Sequence, residues 1–201
     1  MASLARLRRH ASLGKPAIPL LIPSDCQEKP PVNPTKCYCY FDSPLGRLCL
    51  QGDEDVLTGL HMPNHSGWQG PDAQSRQSDA AFAGARQQLS EYFAGTRQQF
   101  DLPIRLEGTP FQQRVWQQLL AIPFGRTITY GLLARRIGNP NASRAVGLAN
   151  SRNPISIIVP CHRVIGSNGT LTGYAGGLHS KQWLIEQEQQ IAGTHLLVDH
   201  R

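Results

Sequence analysis

The sequence predicts an α/β (α+β) protein, with a small N-terminal mixed α/β domain and a mainly helical C-terminal domain that carries a winged-helix-like helix-turn-helix. Between residues 37 and 62, apolar residues alternate with polar ones, which is typical of strands. After residue 109, apolar residues recur at helical spacing behind a strong helix-start signal. Two short helical segments across a tight turn then indicate the helix-turn-helix. At 201 residues and 40% hydrophobic content, the chain can bury a substantial core.

The N-terminal domain begins with a hairpin. Apolar and aromatic residues alternate on both sides of the turn sequence Asp-Ser-Pro-Leu-Gly at 42–46. Residues 56–62 predict a third strand, and an amphipathic helix follows from a Ser78 cap to about Gly95. Residues 100–106 alternate again and predict an edge strand that contains a proline. We therefore assign residues 37–108 to this domain.

The C-terminal domain, residues 109–191, begins at a capping box. Thr109 is a cap residue, Pro110 suits the first helical position, and Gln112 stands where it can bond back to the cap. Farther along, Thr129 caps a short helix that Gly138 ends. These signals mark the domain boundary and the first helix of the helix-turn-helix.

The second helix of that pair, residues 142–150, is rich in small residues. Arg144 is its one long cation, Gly147 lowers its helical stability, and Arg152 follows it. Small residues let a helix approach a nucleic-acid backbone closely, although tight packing against another helix requires the same residues. An ordinary helical hairpin also gives this pattern, so both interpretations stay open.

A cysteine stands at the end of an apolar run. Residues 155–159 predict a strand that stops at Pro160 and is followed by Cys161, His162 and Arg163. A thiol beside histidine and arginine is biased toward the nucleophilic thiolate. Cys161 is therefore a candidate nucleophile, and a buried structural cysteine is the alternative.

A carboxylate on the last helix offers a partner for this histidine. The pattern predicts a helix from a Ser180 cap to about residue 190, on which Leu184 and Glu188 share the apolar face while Glu186 points elsewhere. A buried carboxylate requires a partner, and His162 would give a Cys-His-Glu relay. The alternative is that Glu188 is a solvated charge near the helix end.

Charge is distributed unevenly along the chain. The net charge is +4 in residues 1–36, −4 in residues 37–108 and +6 in residues 109–201. A basic C-terminal half favours a polyanionic partner, nucleic acid first and phosphorylated metabolites second, although a basic surface can also serve solubility alone. No apolar run reaches membrane-spanning length, so we expect no membrane partner.

Five cysteines, an odd number, favour reduced thiols and a cytoplasmic (nucleoid-associated) or nuclear location. Cys37 and Cys39, with His61 or His65, leave a structural zinc site as an alternative to the expected absence of cofactors. Residues 1–36 read as a basic, disordered leader, and an organelle-targeting segment in residues 1–24 is the alternative. Residues 192–201 are a predicted tail.

Three segments together resemble the O6-alkylguanine-DNA alkyltransferases. They are the string 153–166 (NPISIIVPCHRVIG), the loop 173–177 (GYAGG) and the Lys-x-Trp-Leu pattern at 181–184. The resemblance covers about residues 109–188 and is weaker over the N-terminal domain. It implies irreversible DNA repair in which a helix-turn-helix binds the minor groove and the damaged nucleotide is flipped into a pocket. The chemistry agrees, because a thiolate suits displacement at an alkyl carbon and the thioether product cannot be hydrolysed by this motif.

The resemblance also implies roles for individual residues. Cys161 would accept the alkyl group, His162 would deprotonate it through a water, Glu188 would orient His162, Tyr130 would rotate the nucleotide and protonate the leaving base, and Asn153 would buttress the active site. Arg144 would replace the extruded guanine in the base stack. The DNA-facing set is Tyr130, Ala142, Ser143, Arg144, Gly147 and Arg152, and the guanine pocket is Val164, Tyr174, Ala175 and Gly176.

The expected partner is double-stranded DNA that contains O6-alkylguanine. We expect a monomer, with cooperative binding to DNA as an alternative. Three other functions are alternatives. A damage sensor of the same fold lacks the acceptor cysteine, which Cys161 supplies here. A helix-turn-helix transcription factor would not need a Cys-His-Glu relay, and a thiol hydrolase would turn over repeatedly.

Overall fold

The computed structural model describes residues 36–53, 56–63, 65, 67–194 and 198–199. The predicted leader, apart from Lys36, lies outside the described residues. The strands are β1 (Cys37–Ser43), β2 (Gly46–Gly52), β3 (Leu57–His61), β4 (Arg76–Gln77), β5 (Thr127–Thr129), β6 (Val164–Ile165) and β7 (Val198–Asp199). The helices are α1 (Ala83–Phe93), α2 (Pro110–Leu120), α3 (Tyr130–Arg136), α4 (Ser143–Ser151) and α5 (Gly177–Ala192), and 3₁₀ turns cover Ala80–Phe82, Pro140–Ala142 and Cys161–Arg163.

The first sheet has the order β3-β2-β1-β4, and β1 and β2 form the predicted hairpin. Gly46 begins β2 with a φ of +97°, a conformation that favours glycine and permits the tight turn. The predicted strand over residues 100–106 is wrong in extent, because its one bridge in the structure joins Ile104 to Leu57 of β3. Pro103 lacks an N–H and offers only its carbonyl to Leu57 N, at 2.9 Å.

The capping box at the start of α2 is confirmed. Thr109 Oγ1 accepts from Gln112 N at 3.3 Å, and Gln112 Oε1 accepts from Thr109 N at 2.8 Å. Trp116 on α2 is buried and donates through Nε1 to Ala149 O at 2.8 Å, so α2 holds the end of α4. The predicted helical pair is also present, because Thr129 caps α3 and a tight turn leads into α4.

Residues 155–159 are not the predicted strand. Ile155 forms one bridge to Leu60, and the chain then turns, with Val159 N donating to Ile155 O at 3.0 Å and Ile157 at a φ of +70°. Asn153 Nδ2 donates to Val159 O at 2.8 Å, and its Oδ1 accepts from Ile155 N at 3.0 Å. Because this amide satisfies the backbone groups, the apolar run forms a buried turn instead of a strand.

The last helix begins earlier than predicted. α5 starts at Gly177, so Ser180 lies buried within the helix and does not cap it. The second sheet has the order β6-β5-β7, with both pairings parallel, and its strand β7 lies in the predicted tail. None of the helices described here combines the length and apolarity that a membrane crossing requires.

Candidate active site

Cys161 lies where several elements meet. It opens the 3₁₀ turn that joins the buried turn 155–159 to β6, and it is 3% exposed. Its backbone N donates to Val159 O at 2.8 Å, and its carbonyl accepts from Asn150 Nδ2 at 3.3 Å. The end of α4 therefore fixes the cysteine backbone directly, and Asn153 fixes the turn before it.

The Cys161 thiol is not biased toward thiolate in the free site, contrary to the sequence expectation. Burial raises the pKa of Cys161 above its ordinary value, although the Asn153 side chain and the charge of Lys181 act in the opposite direction. The guanidinium of Arg163 is engaged elsewhere, with Glu188 and with the carbonyl of Ile122. The thiol therefore needs a base before it can act as a nucleophile.

The structure brings His162 and Glu188 together, with Nε2 and Oε1 2.9 Å apart. Burial favours the neutral carboxyl, but the adjacent His162 and Arg163 outweigh it and hold the pKa of Glu188 well below its ordinary value. Burial lowers the pKa of His162 despite the carboxylate, so the imidazole is neutral at neutral pH. Since an ionised Glu188 can only accept, we assign the proton to Nε2.

The other ring nitrogen of His162 is available. Nδ1 is buried and has no hydrogen-bond partner among the described residues. A neutral imidazole with its proton on Nε2 carries a lone pair on Nδ1 and can take up a proton there. His162 is therefore arranged as a base whose conjugate acid the Glu188 carboxylate stabilises.

The Glu188 carboxylate has more partners than the sequence reveals. Arg163 donates to both of its oxygens, from Nε at 2.8 Å and from Nη2 at 2.9 Å, and Gly125 N donates to Oε2 at 3.2 Å. Tyr92 donates its hydroxyl to Oε1 at 2.8 Å. No local pattern places Tyr92 or Gly125 near Glu188, because they lie 96 and 63 residues away in sequence.

Lys181 is a buried cation to which the sequence analysis assigns no role. Its Nζ donates to Val164 O at 2.6 Å and to Thr172 O at 2.8 Å, and it lies 5.8 Å from the centre of the Tyr130 ring. Burial lowers the pKa of Lys181 to about 8, although the nearby Cys161 opposes this shift. The Lys-x-Trp-Leu pattern at 181–184 was the sequence feature that could have marked Lys181 as part of the site.

A groove of about 670 Å³ opens beside α4. It contains four of the six predicted DNA-facing residues: Tyr130, Ser143, Arg144 and Gly147, and its remaining lining is Gly131, Leu148, Ser151, Gly166, Ser167, Thr172 and Gly173. The other two, Ala142 and Arg152, flank α4 at its two ends. Arg144 is exposed, and Leu148 is unusually exposed for an apolar side chain, at 54%.

Tyr130 connects this groove with the buried cysteine. Burial raises the pKa of Tyr130, the side chains of Thr172 and Asn150 oppose this shift, and the nearby Cys161 adds to it, so the pKa lies above its ordinary value. The phenol is therefore protonated at neutral pH and can donate to a group that gains negative charge.

The predicted guanine-pocket residues surround the relay. Val164 is buried in β6, and Tyr174 is buried with its ring nearly perpendicular to that of His162, 6.5 Å between centroids. The Tyr174 hydroxyl has no hydrogen-bond partner among the described residues. Ala175 is half-buried, and Gly176 packs so closely on Met62 that an added Cβ would lie 2.8 Å from its side chain.

The structure does not assemble the alternative zinc ligands. Within the described ranges, no group of three or more His, Cys, Asp or Glu side chains could hold a metal ion. Cys37 and Cys39 are buried in β1, and the His61 ring stacks on Trp68 with centroids 4.7 Å apart. The site instead combines a buried thiol, a neutral base and a phenolic proton donor next to an open groove.

Two parts of the chain match known protein families. Residues 110–190 match the family described as 6-O-methylguanine DNA methyltransferase, DNA binding domain. Residues 36–106 match 6-O-methylguanine DNA methyltransferase, ribonuclease-like domain. The two matches together account for most of the chain.

Individual relatives are similar over nearly their whole length. The methylated-DNA–protein-cysteine methyltransferase of Mycobacterium tuberculosis is 51% identical over 165 residues, which are 79% of this chain and 96% of the relative. The corresponding protein of Methanosarcina acetivorans is 51% identical over 152 residues, or 75% and 97% of the two chains.

A solved structure shares the fold. The crystal structure of Mycobacterium tuberculosis OGT in complex with DNA matches with a TM-score of 0.74 and 50% identity, over 77% of this chain and 94% of that one. The predicted mixed α/β fold class is confirmed by this likeness.

Proposed function

Because this chain belongs to the family of methylated-DNA–protein-cysteine methyltransferases, we propose that Cys161 is the residue on which it accepts the alkyl group. The chain is a DNA-binding repair protein that transfers an alkyl group from DNA to a cysteine of its own. The observation that carries the assignment is the pairing of buried Cys161 with the adjacent His162, whose Nε2 is held by Glu188 while Nδ1 is left without a partner among the described residues.

The first step is removal of the thiol proton. A water between Cys161 Sγ and His162 Nδ1 takes the proton from sulfur and passes one to the imidazole. His162 becomes an imidazolium, and the ionised Glu188 beside Nε2 stabilises that charge. The positive charge of Lys181 favours the thiolate at the same time. The high pKa that burial gives the free thiol is thereby offset when the base acts.

The second step is a displacement at carbon. The thiolate of Cys161 attacks the alkyl carbon, a C–S bond forms, the bond from carbon to guanine O6 breaks, and its electron pair stays on the guanine. Tyr130 donates its phenolic proton to the leaving guanine and recovers one from solvent. The products are guanine and an S-alkylcysteine. Thioethers resist hydrolysis, so each molecule reacts once.

The groove beside α4 supplies the substrate. We propose that α3 and α4 bind the minor groove of duplex DNA and that Arg144 occupies the space left when an O6-alkylguanine is flipped out. Support comes from the small residues of α4, the exposed position of Arg144 and the opening lined by Tyr130. Flipping costs a few kcal/mol of stacking, and an inserted side chain recovers part of it.

The reaction as proposed needs no cofactor, because the nucleophile, the base and the proton donor are all side chains of one chain. For the same reason one copy suffices, and we propose that the protein acts as a monomer on its lesion. Cooperative binding of further copies to DNA would add affinity without adding chemistry.

The decisive test is transfer of label from DNA to protein. Wild-type protein is incubated with duplex DNA that carries one O6-methylguanine labelled on its methyl group. We expect label to appear on the protein and to stop near one methyl per active molecule. Cys161→Ala should transfer none, whereas Cys49→Ala, which removes another buried thiol, should transfer like the wild type.

Other outcomes identify other functions. Binding of lesion DNA without movement of label would show a damage sensor and would contradict the role of Cys161. Release of methyl into solution beyond one equivalent would show a hydrolase. Transfer by Cys161→Ala would place the acceptor at another residue.

A further inference from the structure

We propose that Tyr92 is a positioning residue for the transfer reaction, and that its hydroxyl holds the Glu188 carboxylate in the orientation that His162 requires. This inference rests on the proposed function and extends it to the N-terminal domain, since Tyr92 lies on α1. The hydroxyl donates to Glu188 Oε1 at 2.8 Å, the same oxygen that faces His162 Nε2 at 2.9 Å.

The hydroxyl can act only as a donor to this carboxylate. Tyr92 is 1% exposed, and burial together with the neighbouring Glu188 raises its pKa well above the ordinary value. The phenol is therefore un-ionised at any pH at which the protein works. An ionised carboxylate offers only acceptor oxygens, so the direction of the hydrogen bond is fixed.

The backbone around Tyr92 is attached to the helix that bears Glu188. Gln187, the preceding residue on α5, donates through Nε2 to Tyr92 O at 3.3 Å and to Phe93 O at 3.0 Å. The Phe93 ring packs on Trp183 of α5, with centroids 5.9 Å apart. The end of α1 is thus fixed to α5 by contacts separate from the hydroxyl, which leaves the hydroxyl free to serve the carboxylate alone.

The ring and the hydroxyl of Tyr92 make different interactions. The ring packs against Phe93, Phe100 and Phe124, with centroids between 5.3 and 6.2 Å away. A phenylalanine at this position keeps that packing and removes the single donor. Tyr92→Phe therefore isolates the hydrogen bond to Glu188.

The charged groups around His162 determine how its pKa changes when the Tyr92 hydroxyl is removed. Its titratable surroundings are Glu188 and Lys181 of α5, Cys161 and Arg163 of its own turn, Tyr174 of the loop before α5, and Tyr92 through Glu188. Without the Tyr92 hydroxyl, Oε1 loses a donor and becomes a stronger base toward the imidazole. The pKa of His162 should rise in Tyr92→Phe, and the acid limb of the rate profile should move to higher pH with it.

The test compares single-turnover transfer in the wild type, Tyr92→Phe and Gln187→Met across pH. The plateau of label counts active molecules, so the rate constant is independent of the fraction that folds. We expect Tyr92→Phe to lower the rate constant about tenfold, as for loss of a hydrogen bond to a charged group, and to shift its acid limb. Gln187→Met removes the hydrogen bonds from α5 to the end of α1 and keeps the Tyr92 hydroxyl. It should therefore keep the rate constant and the acid limb of the wild type.

An unchanged rate constant and acid limb in Tyr92→Phe would overturn the proposal, as would equal losses in both variants, because these would show a structural role. The His162 ring is also titrated by NMR in isotope-labelled wild type and Tyr92→Phe, a measurement that needs no transfer. A higher pKa in the variant supports the positioning role even if wild-type protein moves no label, and an unchanged pKa contradicts it.

Discussion

At the scale of single residues, the site depends on one buried carboxylate and its donors. Glu188 is 1% exposed and accepts from His162, Arg163, Gly125 and Tyr92. Such a carboxylate stays ionised because its partners outweigh the cost of burial. Removing its charge deprives Arg163, itself 7% exposed, of the carboxylate that it pairs with.

Glu188→Gln should therefore be strongly destabilising. We expect a loss of about 3–5 kcal/mol in the free energy of unfolding, as when one partner of a buried ion pair is removed. Glu186→Gln is the matched control, because Glu186 is exposed on the same helix and bonds to Gln182. It should change the free energy by no more than about 0.5 kcal/mol in denaturant titrations.

The difference in the free energy of unfolding between the wild type and Glu188→Gln should depend on pH. The folded pKa of Glu188 lies below its ordinary value of 4.5, so its charge contributes stability that is fully present above pH 4.5 and is lost as pH falls toward the folded pKa. The difference between wild type and Glu188→Gln should shrink over that acid range. A difference that persists unchanged at low pH would show that the glutamine disturbs packing instead of charge.

Some of these residues could be predicted from sequence and others could not. Helical spacing put Glu188 on the buried face of its helix, and the need for a partner then indicated His162. Tyr92 and Gly125 reach the same carboxylate through tertiary contacts, which no local period records. The protonation of Cys161 was mispredicted because adjacency in sequence did not reveal that burial raises the pKa of the thiol, or that Arg163 turns toward Glu188.

At the scale of elements, the predicted caps at Thr109 and Thr129 were correct, whereas the predicted cap at Ser180 and the predicted strand at residues 155–159 were not. The caps at Thr109 and Thr129 fixed the starts of α2 and α3, because capping hydrogen bonds are local. Residues 155–159 had strand composition, yet the Asn153 side chain satisfies their backbone within a buried turn. An apolar run therefore indicates that a segment is buried, whereas long-range or side-chain hydrogen bonds decide whether that segment forms a strand or a turn.

Helix α4 shows a conflict between stability and access. Gly147 weakens a helix interior, and a Cβ placed on it would lie 3.8 Å from the Tyr130 ring, an ordinary contact. Alanine would therefore fit in the free protein. Gly147 lines the groove beside α4, and under the proposed function a larger residue would fill space that DNA has to approach.

Two substitutions at this position should separate the effects. Gly147→Ala should raise the free energy of unfolding by up to about 1 kcal/mol, the difference in helix propensity. Gly147→Leu should weaken binding to duplex DNA by about tenfold or more, which equals about 1.4 kcal/mol. Denaturant titration and fluorescence anisotropy measure the two quantities. Binding by Gly147→Leu at wild-type strength would show that this face of α4 does not meet DNA.

At the scale of the whole molecule, charge is separated between the two domains. Residues 37–108 carry a net charge of −4, and residues 109–201 carry +6. The groove and α4 lie in the basic part. A phosphate backbone should therefore be attracted to the C-terminal domain and repelled by the N-terminal one, which orients the protein as it approaches DNA.

This separation predicts which arginines control the salt dependence of DNA binding. Arg152 is exposed at the end of α4, where a phosphate contact would release a counterion, so Arg152→Ala should reduce the slope of log K against log salt by about 1. Arg47→Ala is the control, because Arg47 is exposed in the acidic domain and pairs with Asp42 at 2.9 Å. It should leave the slope unchanged. Equal slopes for the wild type and Arg152→Ala would mean that this arginine meets no phosphate, and the DNA path along α4 would have to be redrawn.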